Sequence, residues 1–173
     1  MNRVRIRDAL PDDGETIRHL TLSAYDEYAA LMPYWEYYRR DIIATLGDPD
    51  PAEQIVAEQG GAIVGSVLLY PSGTVFTYSE DDTFTLPWPE ARLLAVAPAA
   101  RGQGIGSALM DECAGRARRA GDPYLTLHTN VIMRAAIHLY ERMGFERYPE
   151  FDFSFDGEVV VRGYRLDLGR VAG

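Results

Sequence analysis

Lysine is absent from this chain of 173 residues, and all 17 basic side chains are arginine. That absence removes a phosphate-binding loop of the Walker type, whose Gly-Lys-Ser/Thr ending brings an ammonium group to nucleotide phosphates. Cysteine is nearly as scarce, and the single Cys113 excludes an intrachain disulfide. Its spacing from Ile105, Leu109 and Ala117 puts it on the buried face of a helix, where a free thiol is inert, so a covalent thiol route has no support. No apolar run approaches the roughly 20 residues that cross a bilayer. The opening Met1-Asn2-Arg3-Val4-Arg5-Ile6-Arg7 lacks the apolar segment of a signal peptide, so the expectation is a soluble cytoplasmic protein with no membrane partner. No metal site is read.

What is present is an ordinary globular composition, 47% hydrophobic and 11% aromatic, without repeats or linkers. A single domain over 1–173 is expected, and at this length folding buries about 70% of the unfolded surface without help from a metal or disulfide. The net charge of −9 argues against a nucleic-acid partner, whose backbone is held by clustered basic residues. The charge is uneven: residues 1–100 carry 7 Arg against 16 acids, and residues 101–173 carry 10 of each.

Periodicity divides the chain into alternating elements. Val4 to Arg7 reads as a strand, and a helix opening at Pro11 carries Ile17, Leu20, Ala24 and Tyr28 on one face. A second helix fits Tyr34 to Leu46, and Gln54 to Glu58 with Ala62 to Tyr70 form a hairpin over Gly60-Gly61. Residues 71–89 read as irregular. Leu93-Leu94-Ala95-Val96 is the apolar run of a strand covered on both faces, followed by a glycine-rich turn and a helix from Gly104 to Ala120. A strand at Tyr124 to Thr129, a helix through Ile132 and Met143, and strands at Phe145 to Tyr148 and Val159 to Leu168 complete a mixed α/β domain.

Arg101-Gly102-Gln103-Gly104-Ile105-Gly106 joins the buried strand to the amphipathic helix. Glycine admits positive φ and close approach of a ligand, and the unpaired first-turn amides of a helix favour an anion. Arg101 can add a charge-assisted contact and Ser107 a hydroxyl. Position 107 is Ser where a dinucleotide fingerprint needs its third glycine. Closure of a strand-to-helix turn is the alternative use of these glycines.

This turn, together with Leu139-Tyr140-Glu141-Arg142-Met143-Gly144-Phe145 about 40 residues later, resembles the Gcn5-related N-acetyltransferases. The resemblance implies a mixed central sheet of six to seven strands flanked by about four helices, with a splayed central strand pair. It implies an N-acetyltransferase dependent on acetyl-coenzyme A, acting on an amine by direct attack in a ternary complex. Carried over residue by residue, Arg101, Gly102, Gln103, Gly104, Gly106 and Ser107 cradle the coenzyme pyrophosphate, and the backbone of Leu94, Ala95 and Val96 follows the pantetheine arm. Tyr140 matches the tyrosine beside the coenzyme sulfur; a phenol stays protonated at neutral pH and can assist thiolate departure.

An alkyl ammonium must lose a proton before attack, so a general base is expected. Glu90 and His128 are the two candidates, with Glu90 slightly ahead. Seven residues before Tyr140, where many members carry Asn, stands Met133; Asn130 either fills a related coenzyme-binding role or caps the helix. The acceptor is expected to be a small-molecule or peptide amine, cationic because the acid-rich segments precede the coenzyme loop, and a homodimer is among the family's common states. A non-catalytic acyl-coenzyme A-binding or regulatory domain is the competing expectation.

Overall fold

Alternating apolar and charged residues start the chain as β1 (Arg5–Asp8), and the computed structural model describes residues 3–155 and 158–169. The described chain clusters into two compact units, Met1–Leu68 with Leu93–Glu112, and Leu69–Arg92 with Cys113–Gly173. Each has its own sheet segment and its own buried side chains.

In the first unit, β1 pairs antiparallel with β2 (Glu53–Gln59), from Arg5 opposite Glu58 to Asp8 opposite Ile55. The Gly60-Gly61 turn then returns the chain as β3 (Ala62–Tyr70), whose residues up to Leu68 belong here. The second half of β6 (Glu90–Val96) lies next to β3, and Ala97 N–H donates to the Val64 carbonyl at 2.9 Å. The helix expected from Pro11 begins as a 3-10 turn over Pro11–Asp13, and α1 runs over Gly14–Tyr25. Tyr28 falls in the 3-10 turn that follows. Helix α2 spans Trp35–Gly47.

Ile17, Ile42, Ile55, Ile105 and Leu109 are sealed in the interior of this unit. Each such side chain stabilises the fold by about 1.5–3 kcal/mol relative to exposure. Gly65 fixes how the start of α3 (Ile105–Ala120) meets β3: a Cβ there would stand 2.9 Å from Ile105 Cγ2, 3.0 Å from Leu109 Cδ1 and 3.2 Å from the Ala95 carbonyl oxygen.

In the second unit, the first residues of β6 pair parallel with β7 (Tyr124–Asn130), Glu90 opposite Thr126 and Ala91 opposite Leu127. Strand β7 runs antiparallel to β10 (Glu158–Asp167), which also pairs with β8 (Glu146–Arg147) and β9 (Phe153–Phe155). Helix α4 covers Arg134–Arg142. Among the described residues the larger sheet counts eight strands, one beyond the expected range, because the acidic and aromatic stretch after Tyr148 contains β9.

Residues 71–89 are not irregular throughout. They fold as a separate hairpin of β4 (Val75–Ser79) and β5 (Asp82–Thr85), with Phe76 opposite Phe84. The β-branched and aromatic residues on either side of the acidic turn provide strand propensity that the flanking Gly and Pro obscure. Among the described residues no helix is long and apolar enough to cross a membrane.

Gly65→Ala is expected to lower stability by about 1–3 kcal/mol through overpacking. Thermal unfolding followed by circular dichroism checks this, with a fall of roughly 3–10 °C expected at this chain length.

Candidate active site

The glycine-rich turn takes the conformation its composition suggests. Gly102 and Gly104 have φ of 75° and 78°, and a Cβ at either would meet nothing within 4 Å. Backbone conformation, rather than crowding, demands glycine there. The Ala108 amide donates to the Gly104 carbonyl at 3.0 Å, so the amides of Ile105, Gly106 and Ser107 precede the first bond of the helical ladder. The turn is exposed, and its amides, Ser107 and the positive end of a 16-residue helix make a donor set suited to a pyrophosphate.

Two side chains of the turn have protein partners. The Gln103 side-chain oxygen accepts from Gln59 Nε2 at 3.2 Å. Arg101, expected to reach a phosphate, instead donates to Glu27 Oε2 at 2.9 Å, to the Ala24 carbonyl at 3.1 Å and to the Val96 carbonyl at 3.4 Å. Its guanidinium therefore ties the turn to the end of α1.

Strand β6 enters the turn with an unusual backbone. Leu93 has a φ of 51°, the sole positive value at a non-glycine residue among the described residues. A left-handed conformation costs an L-residue on the order of 1–2 kcal/mol. Ala95, one of the three residues expected along the pantetheine arm, is buried, and Leu94 and Val96 are half-buried.

In the second unit the two candidate bases form one buried ionic cluster. Glu90 is fully buried, because its register beside Thr126 places it within the sheet. Arg92 Nε donates to Glu90 Oε1, and the Arg92 guanidinium lies 3.8 Å from the centroid of the Phe76 ring. Glu90 Oε2 and His128 Nδ1 stand 2.9 Å apart. They make an ion pair rather than a straight hydrogen bond, and neither atom has another hydrogen-bond partner among the described residues. Burial pushes the Glu90 carboxyl up, but contact with His128 and the charge of Arg92 outweigh it and hold it below the usual range.

His128 Nε2 lies 2.8 Å from the Phe151 carbonyl oxygen, which can only accept, so Nε2 carries a hydrogen in this arrangement. Its Nδ1 faces Glu90 on the opposite side. Phe151 also stacks on the ring, its plane 14° from that of His128. The turn carrying Phe151 rests on Gly163, where a Cβ would come within 2.5 Å of Phe151 Cβ. Asp152 secures it by pairing with Arg147 at 2.7 Å and accepting the Gly163 amide at 2.8 Å.

Tyr140 is buried in α4, edge-on to Phe145 with ring centroids 5.8 Å apart. Asn130 Oδ1 accepts the Ile132 amide at 3.1 Å, shaping the turn into α4, while Met133 is buried at the helix cap. Trp88 packs on Tyr124 at 4.8 Å and Tyr148 at 5.8 Å, between ring centroids. Thr129 escaped notice in the sequence: its hydroxyl is buried without a partner among the described residues, an opening that a ligand atom would complete. No group of three or more His, Cys, Asp or Glu able to hold a metal ion occurs among the described residues. Cys113 is fully buried.

Comparison with known proteins gives a consistent picture. The acetyltransferase (GNAT) family profile matches residues 14–145. A probable N-acetyltransferase family 8 member 5 from Mus musculus is 38% identical over 96 residues, 56% of this chain and 39% of that protein. Streptothricin acetyltransferase from Streptomyces lavendulae is 46% identical over 52 residues, 30% of this chain and 28% of that protein. The chain thus spans well under half the length of these curated relatives. Among solved structures, a GNAT family acetyltransferase from Brucella melitensis in complex with acetyl-CoA shares the fold at a TM-score of 0.65 and 22% identity, covering 100% of this chain and 93% of that one. A GNAT family acetyltransferase from Staphylococcus aureus Mu50 does so at a TM-score of 0.69 and 16% identity, covering 96% and 99%.

A carboxylate held below its ordinary pKa stabilises the fold above the unfolded value, near 4.3 for Glu, and loses that contribution as pH falls through the folded value. Glu90→Gln is expected to cost about 3–5 kcal/mol at neutral pH by stranding Arg92 and His128. It should also shallow the acid limb of a stability-versus-pH curve measured by urea unfolding, leaving the share due to Asp13 and Asp152, which Arg7 and Arg147 hold low.

Proposed function

Because this chain belongs to the GNAT acetyltransferase family, we propose that it transfers an acetyl group from acetyl-coenzyme A to an amine. The coenzyme supplies an activated acyl thioester. The amides of the turn over Gly102, Gln103, Gly104 and Gly106, with the Ser107 hydroxyl, hold its pyrophosphate, and the backbone of Leu94, Ala95 and Val96 receives the pantetheine arm. Arg101 contributes by fixing the turn through Glu27. Asn130 contributes by shaping the entry to α4, and so the placing of Tyr140.

Glu90 and His128 act as one base. In the proton-accepting state the ring is neutral with its hydrogen on Nδ1 beside Glu90, the Phe151 carbonyl has moved off Nε2, and the Nε2 lone pair takes the amine proton. His128 is the proton acceptor; Glu90 fixes the tautomer and stabilises the imidazolium that forms. The observation that supports an enzyme over a simple binder is this imidazole, held by a buried carboxylate on one nitrogen and a carbonyl on the other. As the nitrogen–carbon bond forms and the carbon–sulfur bond breaks, Tyr140 donates its phenolic proton to the departing sulfur.

The acceptor we favour is a cationic amine, small molecule or peptide, in keeping with the acid-rich first 100 residues and with the streptothricin acetyltransferase among the relatives. A single acetyltransferase domain, a cytoplasmic location and a homodimer belong to the same proposal.

Purified protein given acetyl-coenzyme A and a panel of primary amines is expected to release free thiol, read with a thiol reagent. Coenzyme binding by calorimetry without thiol release from any amine would favour the non-catalytic reading. Tyr140→Phe should depress kcat by about 100-fold, within the usual range for a positioned acid, while acetyl-coenzyme A affinity stays within about threefold.

A further inference from the structure

The end of α1 contacts the chain on both sides of the coenzyme segment. Tyr25 Oη donates to the Leu94 carbonyl at 3.0 Å, and Arg101 donates to the carbonyl of Ala24, the preceding residue, at 3.1 Å. Between these two anchors lies the backbone that starts at the positive φ of Leu93 and ends in the turn. Tyr25 is itself fixed: it is 9% exposed, and its ring lies 6.2 Å from Tyr28 and 6.1 Å from Tyr38, between centroids.

We infer that Tyr25 is a positioning residue for coenzyme binding, holding the Leu94 peptide in the orientation that the left-handed Leu93 imposes. The inference rests on the coenzyme reading of this strand and turn. A residue held at positive φ persists when its surroundings determine it, and an adjacent carbonyl fixed by a rigid phenol is such a determinant. Without the hydroxyl, the peptide plane at Leu94 can rotate toward an ordinary extended conformation. The amides of Ala95 and Val96 would then have to be ordered by the ligand as it binds, which lowers affinity without removing any protein–ligand contact. Tyr25 need not touch the coenzyme to act in this way. The aromatic cluster of Tyr25, Tyr28 and Tyr38 is the rigid mounting of that hydroxyl.

Tyr25→Phe keeps the ring and its packing and removes only the donor. Three readouts are compared between wild type and variant: amide hydrogen exchange of residues 93–97 in the free protein, acetyl-coenzyme A affinity by calorimetry, and the melting temperature. The expected result is faster exchange confined to 93–97 and an affinity loss of roughly fivefold, the equivalent of one neutral hydrogen bond. The KM for acetyl-coenzyme A should rise with kcat little changed, and Tyr25→Leu, which removes the ring as well, should lower the melting temperature where Tyr25→Phe does not. Unchanged exchange and affinity in Tyr25→Phe, with a wild type that binds the coenzyme, would overturn the positioning role alone. So would an exchange increase spread over the whole first unit. A wild type that binds no acetyl-coenzyme A would overturn the underlying function and this inference with it.

Discussion

A carboxylate with no solvent exposure must be neutralised by its neighbours or lose its charge, and Glu90 places that requirement on the second unit. Arg92 satisfies one oxygen and His128 faces the other. On the other side of the ring, Nε2 is met by the Phe151 carbonyl at 2.8 Å. That carbonyl reaches the ring because its turn lies flat on β10, an approach that Gly163 permits and the Arg147–Asp152 pair secures. Residues from β6, β7, β10 and the loops around them thus answer to one buried charge. A structural ion pair would need only Arg92; the additional imidazole gives the cluster a group able to donate or accept a hydrogen.

The first unit solves a different problem, that of presenting backbone groups rather than side chains. The segment proposed to hold the coenzyme consists of a left-handed Leu93, a turn with two glycines at positive φ, and a helix start whose amides precede the first ladder bond. None of these is the lowest-energy choice for a chain considered locally. They are tied to α1 by two contacts, Tyr25 donating from the helix to the strand and Arg101 donating from the turn to the Ala24 carbonyl. Strain at the strand and open space at the turn are compatible because the supporting contacts lie on the side of the backbone fixed by α1.

Local features were legible in the sequence, and partners were not. The glycine turn, the amphipathic periodicity of α3 and the Tyr140 helix are written in short windows, and the structure places those elements within a residue or two of expectation. Glu90 was identifiable by position, whereas its burial depends on pairing with β7 and on Arg92, and Pro87-Trp88-Pro89 beside it gave the opposite impression. The partner of Arg101 is Glu27, 74 residues away, so a window around the turn could suggest only a phosphate. The β4–β5 hairpin was hidden because Gly, Pro and acidic residues surround two short runs of β-formers. The acid excess also changes meaning: Asp13, Glu27, Glu58 and Glu90 are engaged by arginines, so part of what reads as a uniform acidic surface is internal pairing.

The central claim, that His128 and Glu90 together take the proton of an amine undergoing acetylation, is tested most directly by the rate of acetyl transfer against pH in wild type and His128→Gln. A base matters while the amine is protonated and ceases to matter as the pH approaches the amine pKa, near 10 for an alkyl amine. The account predicts a deficit of about 100-fold near pH 7 that narrows steadily toward pH 10. A deficit of the same size at every pH, or none at all, would contradict it.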